Sequence, residues 1–366
     1  MEFKNIAKIS EKKLERKYRI LTPKTSVTSE FTDLSDTRNM IFLAGPCPRK
    51  KSDSDWREEA YDILARLCFE GTVVTPTNPY YDESNPGELK SQAAWEQEAM
   101  MRASAIVFWL PRSEQHPGFT SNVEIGYWIG QKGVFIGMPD GCDCNANGYI
   151  RIRAGFCGQE VYSTLNDLLA ATVRDLKRGK EVYFTSDTHF GQERTLNLTR
   201  RPFSGVKAMD LTIISNWNKT VRIQDSFYHL GDFGASADYL KGLNYGEFVL
   251  VKGNYEEEVC KDVASAIKKM DNCHVYSNDE AELKVSETLT YTLRHQPIKP
   301  DGTGKVDKSK FYLFGHIHGK SLYLKNGLDV GVDAHNYTPI SLEEVNWRVN
   351  AIQNYCDENC FTTYCK

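Results

Sequence analysis

Seven side chains in the second half of the chain have the types and the setting of a metal centre: Asp187, His189, Asp232, Asn254, His295, His316 and His318. Each lies just past a short apolar run, in EVYFTSDTH, SFYHLGDF, EFVLVKGN, TLTYTLRHQP and FYLFGHIHG. Apolar runs bounded by polar clusters read as strands, so five strand ends carry one class of donor and point to one shared site. Imidazoles mixed with carboxylates and an amide suit first-row divalent ions such as manganese, iron, nickel or zinc, and are too rich in nitrogen for a calcium cage. Seven donors exceed the needs of one ion. With one carboxylate shared they fit two ions about 3.5–4 Å apart, an arrangement that activates a water and neutralises a phosphoryl group.

The first half carries a different pair. Glu124 lies in GFTSNVEIGYWIGQKG and Glu96 in AAWEQE. A carboxylate near a helix N-terminus is favoured in its ionised form, which suits a nucleophile, and a second carboxylate nearby can handle protons. Two carboxylates about 5–5.5 Å apart divide the work in this way in retaining glycoside chemistry. Sequence spacing leaves open whether the two meet; Glu124 as a helix-dipole residue and Glu96 as a surface residue are the alternative.

The elements that must position these groups change character along the chain. Residues 1–37 read as a polar, basic arm, with Ile9, Leu14 and Tyr18 at helical spacing. From residue 38 to 178, apolar strands (MIFLAG, GTVVTP, AIVFWLP, GVFIGMP) alternate with helices (WREEAYDILARLCF, AAWEQEAMMRA, TSNVEIGYWIGQK, STLNDLLAATVRDLKRG), and TNPYYDESNPGELKS reads as a loop. That alternation predicts an α/β, doubly wound parallel sheet, Rossmann-like, with its chemistry beyond the carboxyl ends of the strands. A second domain is expected over 179–348, followed by a cysteine-containing tail over 349–366.

The bulk properties agree with this division. The 366 residues exceed the roughly 250–300 at which single cores stop growing. A net charge of -4 with 26% charged residues gives no overall electrostatic footprint for nucleic acid. No apolar run approaches the roughly 20 residues of a membrane helix, and the first residues lack the apolar core of a secretory signal, so a cytoplasmic protein is expected, in the host cytoplasm if phage-encoded. The ten cysteines are scattered, as free thiols of a reducing compartment are. The tail CDENCFTTYC shows no fourth ligand for a metal clip.

The series SDTHFG, LGDF, KGN, RHQPI and GHIHG resembles the calcineurin-like metallophosphoesterases over about residues 181–345, and RPF, NW and VGVDAHNYTPISLEE are similar to the compact phage and bacterial members. The resemblance implies a β-sandwich flanked by helices. It also implies Asp187, His189, Asp232 and His318 around one metal and Asp232, Asn254, His295 and His316 around the other, with Asp232 bridging. Relatives usually have His then Asp after the Asn, where this chain has Tyr255 and Glu256, and many carry His where it has Gln192. That His commonly steadies the phosphate and protonates the leaving oxygen. A phenol of pKa about 10 is a poorly matched proton donor near neutrality, so altered proton delivery or substrate fit is expected at Tyr255.

The order FLAGP, WR, NPYYDE, Q followed by WE, FWLP and NVEIG is similar to the nucleoside 2-deoxyribosyltransferase superfamily, which also contains nucleotide N-glycosidases, over about residues 39–140. The resemblance implies that Glu124 attacks C1′ of the sugar and Glu96 handles the base or a sugar hydroxyl. Gly45 and Pro46 would shape the pocket floor, and Trp56, Tyr80, Tyr81 and Trp95 would stack on the base or pack in the core. Several members place a Tyr on the first strand, where this chain has Ile41 and Phe42. Thr120, Ser121 and Asn122, with backbone N–H groups at the helix start, would receive a 5′-phosphate or sugar hydroxyls. Such relatives often complete their pockets across subunits, so a homo-oligomer is expected.

Together the halves predict a bifunctional enzyme acting on a small-molecule nucleoside or nucleotide: glycosidic cleavage or base exchange in the first, two-metal phosphoester hydrolysis in the second. Two alternatives stand beside it. One is a phosphodiesterase of a signalling nucleotide or nucleic-acid end whose first domain only recognises the base; the other is a non-catalytic nucleotide-binding regulator.

Overall fold

The computed structural model describes residues 16–23, 34, 37–48, 54–78, 85–113, 116–142, 144–276, 280–298, 310–324 and 326–355. Tyr80, Tyr81, the start of the arm and the three cysteines of the tail lie outside the described residues.

In the first half, β1 (Tyr18–Leu21), β2 (Met40–Ala44), β3 (Gly71–Val74), β4 (Ala105–Trp109), β5 (Val134–Gly137) and β6 (Val161–Tyr162) form one sheet in the order β1-β3-β2-β4-β5-β6. Every pairing in it is parallel. The residues of β2 and β4 are all buried, which the cover on both faces requires. On one face α1 (Trp56–Arg66) and α5 (Leu165–Leu176) pack through Leu64, Leu168 and Leu169. On the other, α2 (Pro86–Arg102), α3 (Phe119–Trp128) and α4 (Asn145–Phe156) pack through Trp95, Ile125, Trp128 and Ile150. This is the expected doubly wound architecture.

Three local expectations change. Tyr18, read as part of a helical arm, lies in an edge strand paired with β3, its hydroxyl donating to Tyr61 O at 2.6 Å. GELKS, read as loop, is helical because Asn85 caps and Pro86 starts α2; proline at the first position has no N–H to leave unsatisfied. Helix α4 carries two glycines and two arginines, which blur the apolar period that would have marked it.

The second half contains two five-stranded sheets. One has the order β10-β9-β8-β7-β16 and comprises β7 (Val182–Thr185), β8 (Ser226–His229), β9 (Glu247–Val251), β10 (Cys273–Tyr276) and β16 (Ile340–Ser341). The other has the order β11-β12-β13-β15-β14 and comprises β11 (Glu280–Lys284), β12 (Thr290–Arg294), β13 (Phe311–Phe314), β14 (Tyr323–Leu324) and β15 (Gly327–Asp329). A core containing Phe184, Val251, Leu293, Leu313 and Leu328 joins the two sheets. Helices α6 (Glu193–Leu198), α7 (Val206–Thr220), α8 (Asn254–Glu258) and α9 (Lys261–Ile267) follow strands of the first sheet, and α7 and α9 cover it through Trp217, Ile213 and Ile267. Helix α10 (Leu342–Tyr355) passes the expected boundary at 348, because Val349 and Ile352 are buried in the shared core.

The two halves meet through polar contacts between α2 and α7. Asn218 Nδ2 donates to Arg102 O at 2.9 Å, and the buried Lys219 donates to Met100 O at 3.1 Å while lying 4.6 Å over the Trp128 ring. Burial, with Arg222 nearby, lowers the Lys219 amine to about 7. No helix among the described residues is long and apolar enough to cross a membrane.

Candidate functional site

Strands β7, β8 and β9 run parallel in one sheet and β12 and β13 in the other, and the loops at their carboxyl ends bring the seven donors together. Donor atoms of Asp187, His189 and His318 lie within 4.8 Å of one another, and those of Asp232, His295 and His316 likewise. Asp232 Oδ2 lies 3.5 Å from His189 Nε2 and 3.4 Å from His295 Nε2, between the two groups. Asn254 Oδ1 lies 3.1 Å from both His295 Nε2 and His316 Nδ1. The sequence-derived set is therefore assembled, with Asp232 in the shared position.

The backbone bends to achieve this. Asp187, His189, Asp232, His316 and His318 have φ of 58°, 49°, 58°, 71° and 50°. Left-handed backbone is uncommon outside glycine and concentrates at functional sites. Gly315 allows the loops to close, since a Cβ there would lie 2.3 Å from Asp187 Oδ2.

Partners outside the donor set fix the rings. His318 Nδ1 lies 2.8 Å from Asp333 Oδ2, and Arg201 grips both Asp333 oxygens at 2.9 and 2.7 Å. His295 Nδ1 donates to Leu230 O at 2.7 Å, and His189 Nδ1 meets Gln192 Oε1 at 2.7 Å. With Nδ1 occupied, Nε2 of each ring is left for a ligand. Asp187 Oδ1 and His189 Nε2 are buried without a hydrogen-bond partner among the described residues, a costly state that a cation relieves. Burial opposes charge on His295, but Asp232 and Asp187 outweigh it and lift the imidazole to about 9. The residues thus fit two divalent ions; their identity is not encoded in the donors.

The three residues that depart from the expected pattern, Gln192, Tyr255 and Glu256, separate in space. Glu256 is buried and accepts from the backbone N–H groups of Asp232, Phe233 and Gly253 at 2.8, 2.7 and 2.8 Å, so it fastens the β8 loop to the β9 loop. Gln192 orients His189. Tyr255 adjoins the donors: its ring stands edge-on to His189 at 4.7 Å and its hydroxyl is 3.4 Å from Arg194 Nη1.

The carboxylate pocket lies where β2 and β4 adjoin, the point at which the chain turns from one side of the sheet to the other. Such a switch point opens a crevice at the strands' carboxyl ends. Gly45, at φ +146°, leaves no room for a side chain, since a Cβ would lie 2.1 Å from Trp109 O. Gly118, at φ +60°, brings the start of α3 against Pro46, whose Cγ a Cβ would approach to 2.9 Å. The wholly buried Arg57 binds Leu43 O, Pro46 O and Gly45 O at 3.2, 3.2 and 3.0 Å, and Asp55 Oδ1 at 3.1 Å. It therefore holds the floor and places a positive charge beneath the pair. Its place on the apolar face of α1, one turn before Ala60 and Tyr61, is the sequence signal for that role.

Glu96 and Glu124 are both half-buried. Gln92, itself held to Pro76 O at 2.8 Å, donates to Glu96 Oε1 at 2.6 Å. Burial and then the charge of Glu96 push Glu124 up to about 7, against the pull of Arg57. Burial raises Glu96 too, with Gln92 and Arg57 opposing. Glu124 lies beyond the first turn of α3, where the helix dipole has faded, so desolvation opposes the ionised form expected at a helix start.

The expected binding residues divide. Trp56 is half-buried at the pocket edge, with Nε1 donating to Pro46 O at 3.2 Å. Trp95, on α2, is 5% exposed and packed in the core, so its ring has little face left for a base. Thr120 is exposed and Ser121 buried, while Asn122 Oδ1 accepts from Arg112 at 2.6 Å. Arg112, which no motif signalled, also binds Gly118 O at 3.1 Å and Asn147 Oδ1 at 2.7 Å, tying α3 to α4. All seven described cysteines are free.

Residues 38–142 match the family "Nucleoside 2-deoxyribosyltransferase like". This segment is a nucleoside 2-deoxyribosyltransferase-like domain. The chain is 27% identical over 177 residues to an uncharacterized protein of Methanocaldococcus jannaschii, covering 45% of this chain and 88% of that one. A crystal structure of a protein of unknown function from Aquifex aeolicus matches 46% of this chain and 100% of its own, with 23% identity and a TM-score of 0.36.

Proposed function

We propose that the chain is a bifunctional nucleotide-processing enzyme that cleaves the N-glycosidic bond of a nucleoside or nucleoside monophosphate and hydrolyses a phosphoester. The observation that carries the reading is the coexistence of a proton-coupled Glu96–Glu124 pair at the sheet crevice with a seven-donor centre shared through Asp232.

In the first domain Glu124 attacks C1′. The C1′–N bond breaks, its electron pair leaves with the base, and Glu96 supplies the proton. Water, or a second base, then attacks C1′, gives up its proton to Glu96 and frees Glu124. The working form is the singly protonated pair, which reacts after the proton passes from Glu124 to Glu96 and leaves Glu124 ionised; Gln92 and Arg57 hold the geometry. In the second domain Asp187, His189 and His318 would hold one divalent ion and Asn254, His295 and His316 the other, with Asp232 shared; bound ions supply an activated water and charge neutralisation. The ring partners Asp333, Leu230 and Gln192 keep the imidazoles aimed, and Tyr255 with Arg194 offers hydrogen bonds to the phosphoryl group. Incubation with 2′-deoxynucleoside monophosphates and manganese is expected to release free base and inorganic phosphate; release of neither across the common bases overturns the reading.

Tyr255→His is expected to leave metal binding intact and to raise turnover of alkyl phosphoesters by about 10²-fold, the lower range of general acid catalysis. Steady-state rates on an alkyl phosphate decide it, and an unchanged or lower rate means that Tyr255 serves the native substrate in another way.

A homo-oligomer is supported by an exposed apolar face on the helices beside the pocket: Phe119, Val123 and Tyr127 of α3, and Tyr149, Ile152 and Phe156 of α4. Patches of this kind mark interfaces, and a second copy seated there would adjoin Glu124. Light scattering of Val123→Glu is expected to give half the wild-type mass or less; a monomeric wild type removes the proposal.

A further inference from the structure

Beside the seven-donor centre lies an open cleft of about 100 Å³ lined by Lys252, Asn254, Glu257, Arg294, His295 and Gln296. Two of these residues, Asn254 and His295, are donors of the centre itself, so a group in the cleft is next to a group held there. Lys252 is half-buried and makes no hydrogen bond or ion pair among the described residues. Arg294 is half-buried and held by Glu280 Oε1 and Gln296 O, which fixes its guanidinium at the rim. Glu257 is the opposing charge, and it is exposed. A half-buried lysine without a partner, one residue from a glycine and two from a metal donor, suits an anionic ligand better than a folding role: holding its long chain costs rotamer entropy with no contact in return.

We infer that the Lys252–Arg294 cleft binds a second phosphoryl group of the substrate, beside the one held at the seven-donor centre. The phosphoesterase thereby favours nucleotides with two adjacent phosphoryl groups over simple monoesters. The inference rests on the phosphoester reading above and names its substrate class. Water adds to the phosphorus at the centre and gives up a proton to solvent. The bridging P–O bond breaks, and its electron pair leaves with the phosphoryl group in the cleft. Lys252 and Arg294 offset the charge that develops there, as preorganised cations do for transferring phosphoryl groups. The exposed side of the cleft leaves room for the remainder of the nucleotide.

The test uses the full chain loaded with manganese. The ratio of kcat/KM for inorganic pyrophosphate to that for p-nitrophenyl phosphate is measured in wild type, Lys252→Met and Lys252→Arg. Met keeps the aliphatic stem and removes the charge, so the ratio is expected to fall at least tenfold, with recovery in the Arg variant. Calorimetric titration with methylenediphosphonate, which is not hydrolysed, is expected to show at least tenfold weaker binding in Lys252→Met, with a smaller loss for inorganic phosphate. An unchanged ratio, or equal losses for both substrates, overturns the inference, because a general electrostatic or structural role would lower them together. If neither substrate is turned over, the phosphoesterase reading falls separately. The calorimetry then decides the cleft: methylenediphosphonate bound no tighter than phosphate in wild type refutes it.

Discussion

Asp232→Asn is expected to reduce phosphoester hydrolysis by about 10³-fold or more and to lower the bound divalent ions from two to one or none. The carboxylate oxygen 3.5 Å from His189 Nε2 and 3.4 Å from His295 Nε2 is the negative charge common to both groups of donors. Charge stabilisation by a correctly held metal is worth several kcal/mol, and each 1.36 kcal/mol is about tenfold in rate. Asparagine preserves the shape. The contacts that fasten this loop, from Asp232 N to Glu256 and from Tyr255 N to Asp232 Oδ1, survive the change, so the melting temperature should move little. Elemental analysis of the dialysed protein alongside the rate provides the check. Two retained ions with full activity would remove Asp232 from the centre.

Glu124→Gln is expected to lower base release by at least about 10⁴-fold, beyond the ~10²–10⁴-fold that proton transfer alone contributes, because a neutral amide cannot form the sugar–enzyme bond. Phosphate release should persist, since the seven donors belong to the other half. Parallel loss of both products would mean one active centre, as in the reading where the first domain only recognises the base. The pair also sets a pH signature. With Glu124 lifted to about 7, the singly protonated form empties above that value, and base release should fall about tenfold per pH unit there.

Stability carries the same mark, and its sign is fixed by the direction of the shift. A carboxyl whose folded pKa is raised binds more protons folded than unfolded, so its stabilising contribution is present at low pH and is lost as the pH rises through about 7. Wild type should therefore lose melting temperature between pH 4.5 and about 7 more steeply than Glu124→Gln, the window between the unfolded and folded pKa values. Identical slopes would show that Glu124 titrates normally.

Much of this was legible in residue types. The strands of the first sheet are unbroken apolar runs because both faces are covered, and the donors of the second half each follow such a run, so strand ends announced the centre. Other features were hidden for physical reasons. Arg57 reads as one more charge on a helix until burial puts it under the turn at Gly45. Trp95 and Trp56 look equivalent in sequence, yet one fills the core and the other borders the pocket. Glu256 looked like a change in the chemistry and serves to tie two loops, because its side chain reaches three backbone N–H groups.

Local composition thus determined the doubly wound first domain, the order of the seven donors and the presence of two acidic residues near a crevice, because apolar periodicity and strand-end polarity act over a few residues. Tertiary structure alone decided that Asp232 stands between His189 and His295, that burial and Glu96 raise the Glu124 carboxyl, and that Lys252 borders the centre. Those outcomes depend on which loops the sheet order brings side by side and on how much water each group loses there, and neither quantity is carried by spacing along the chain.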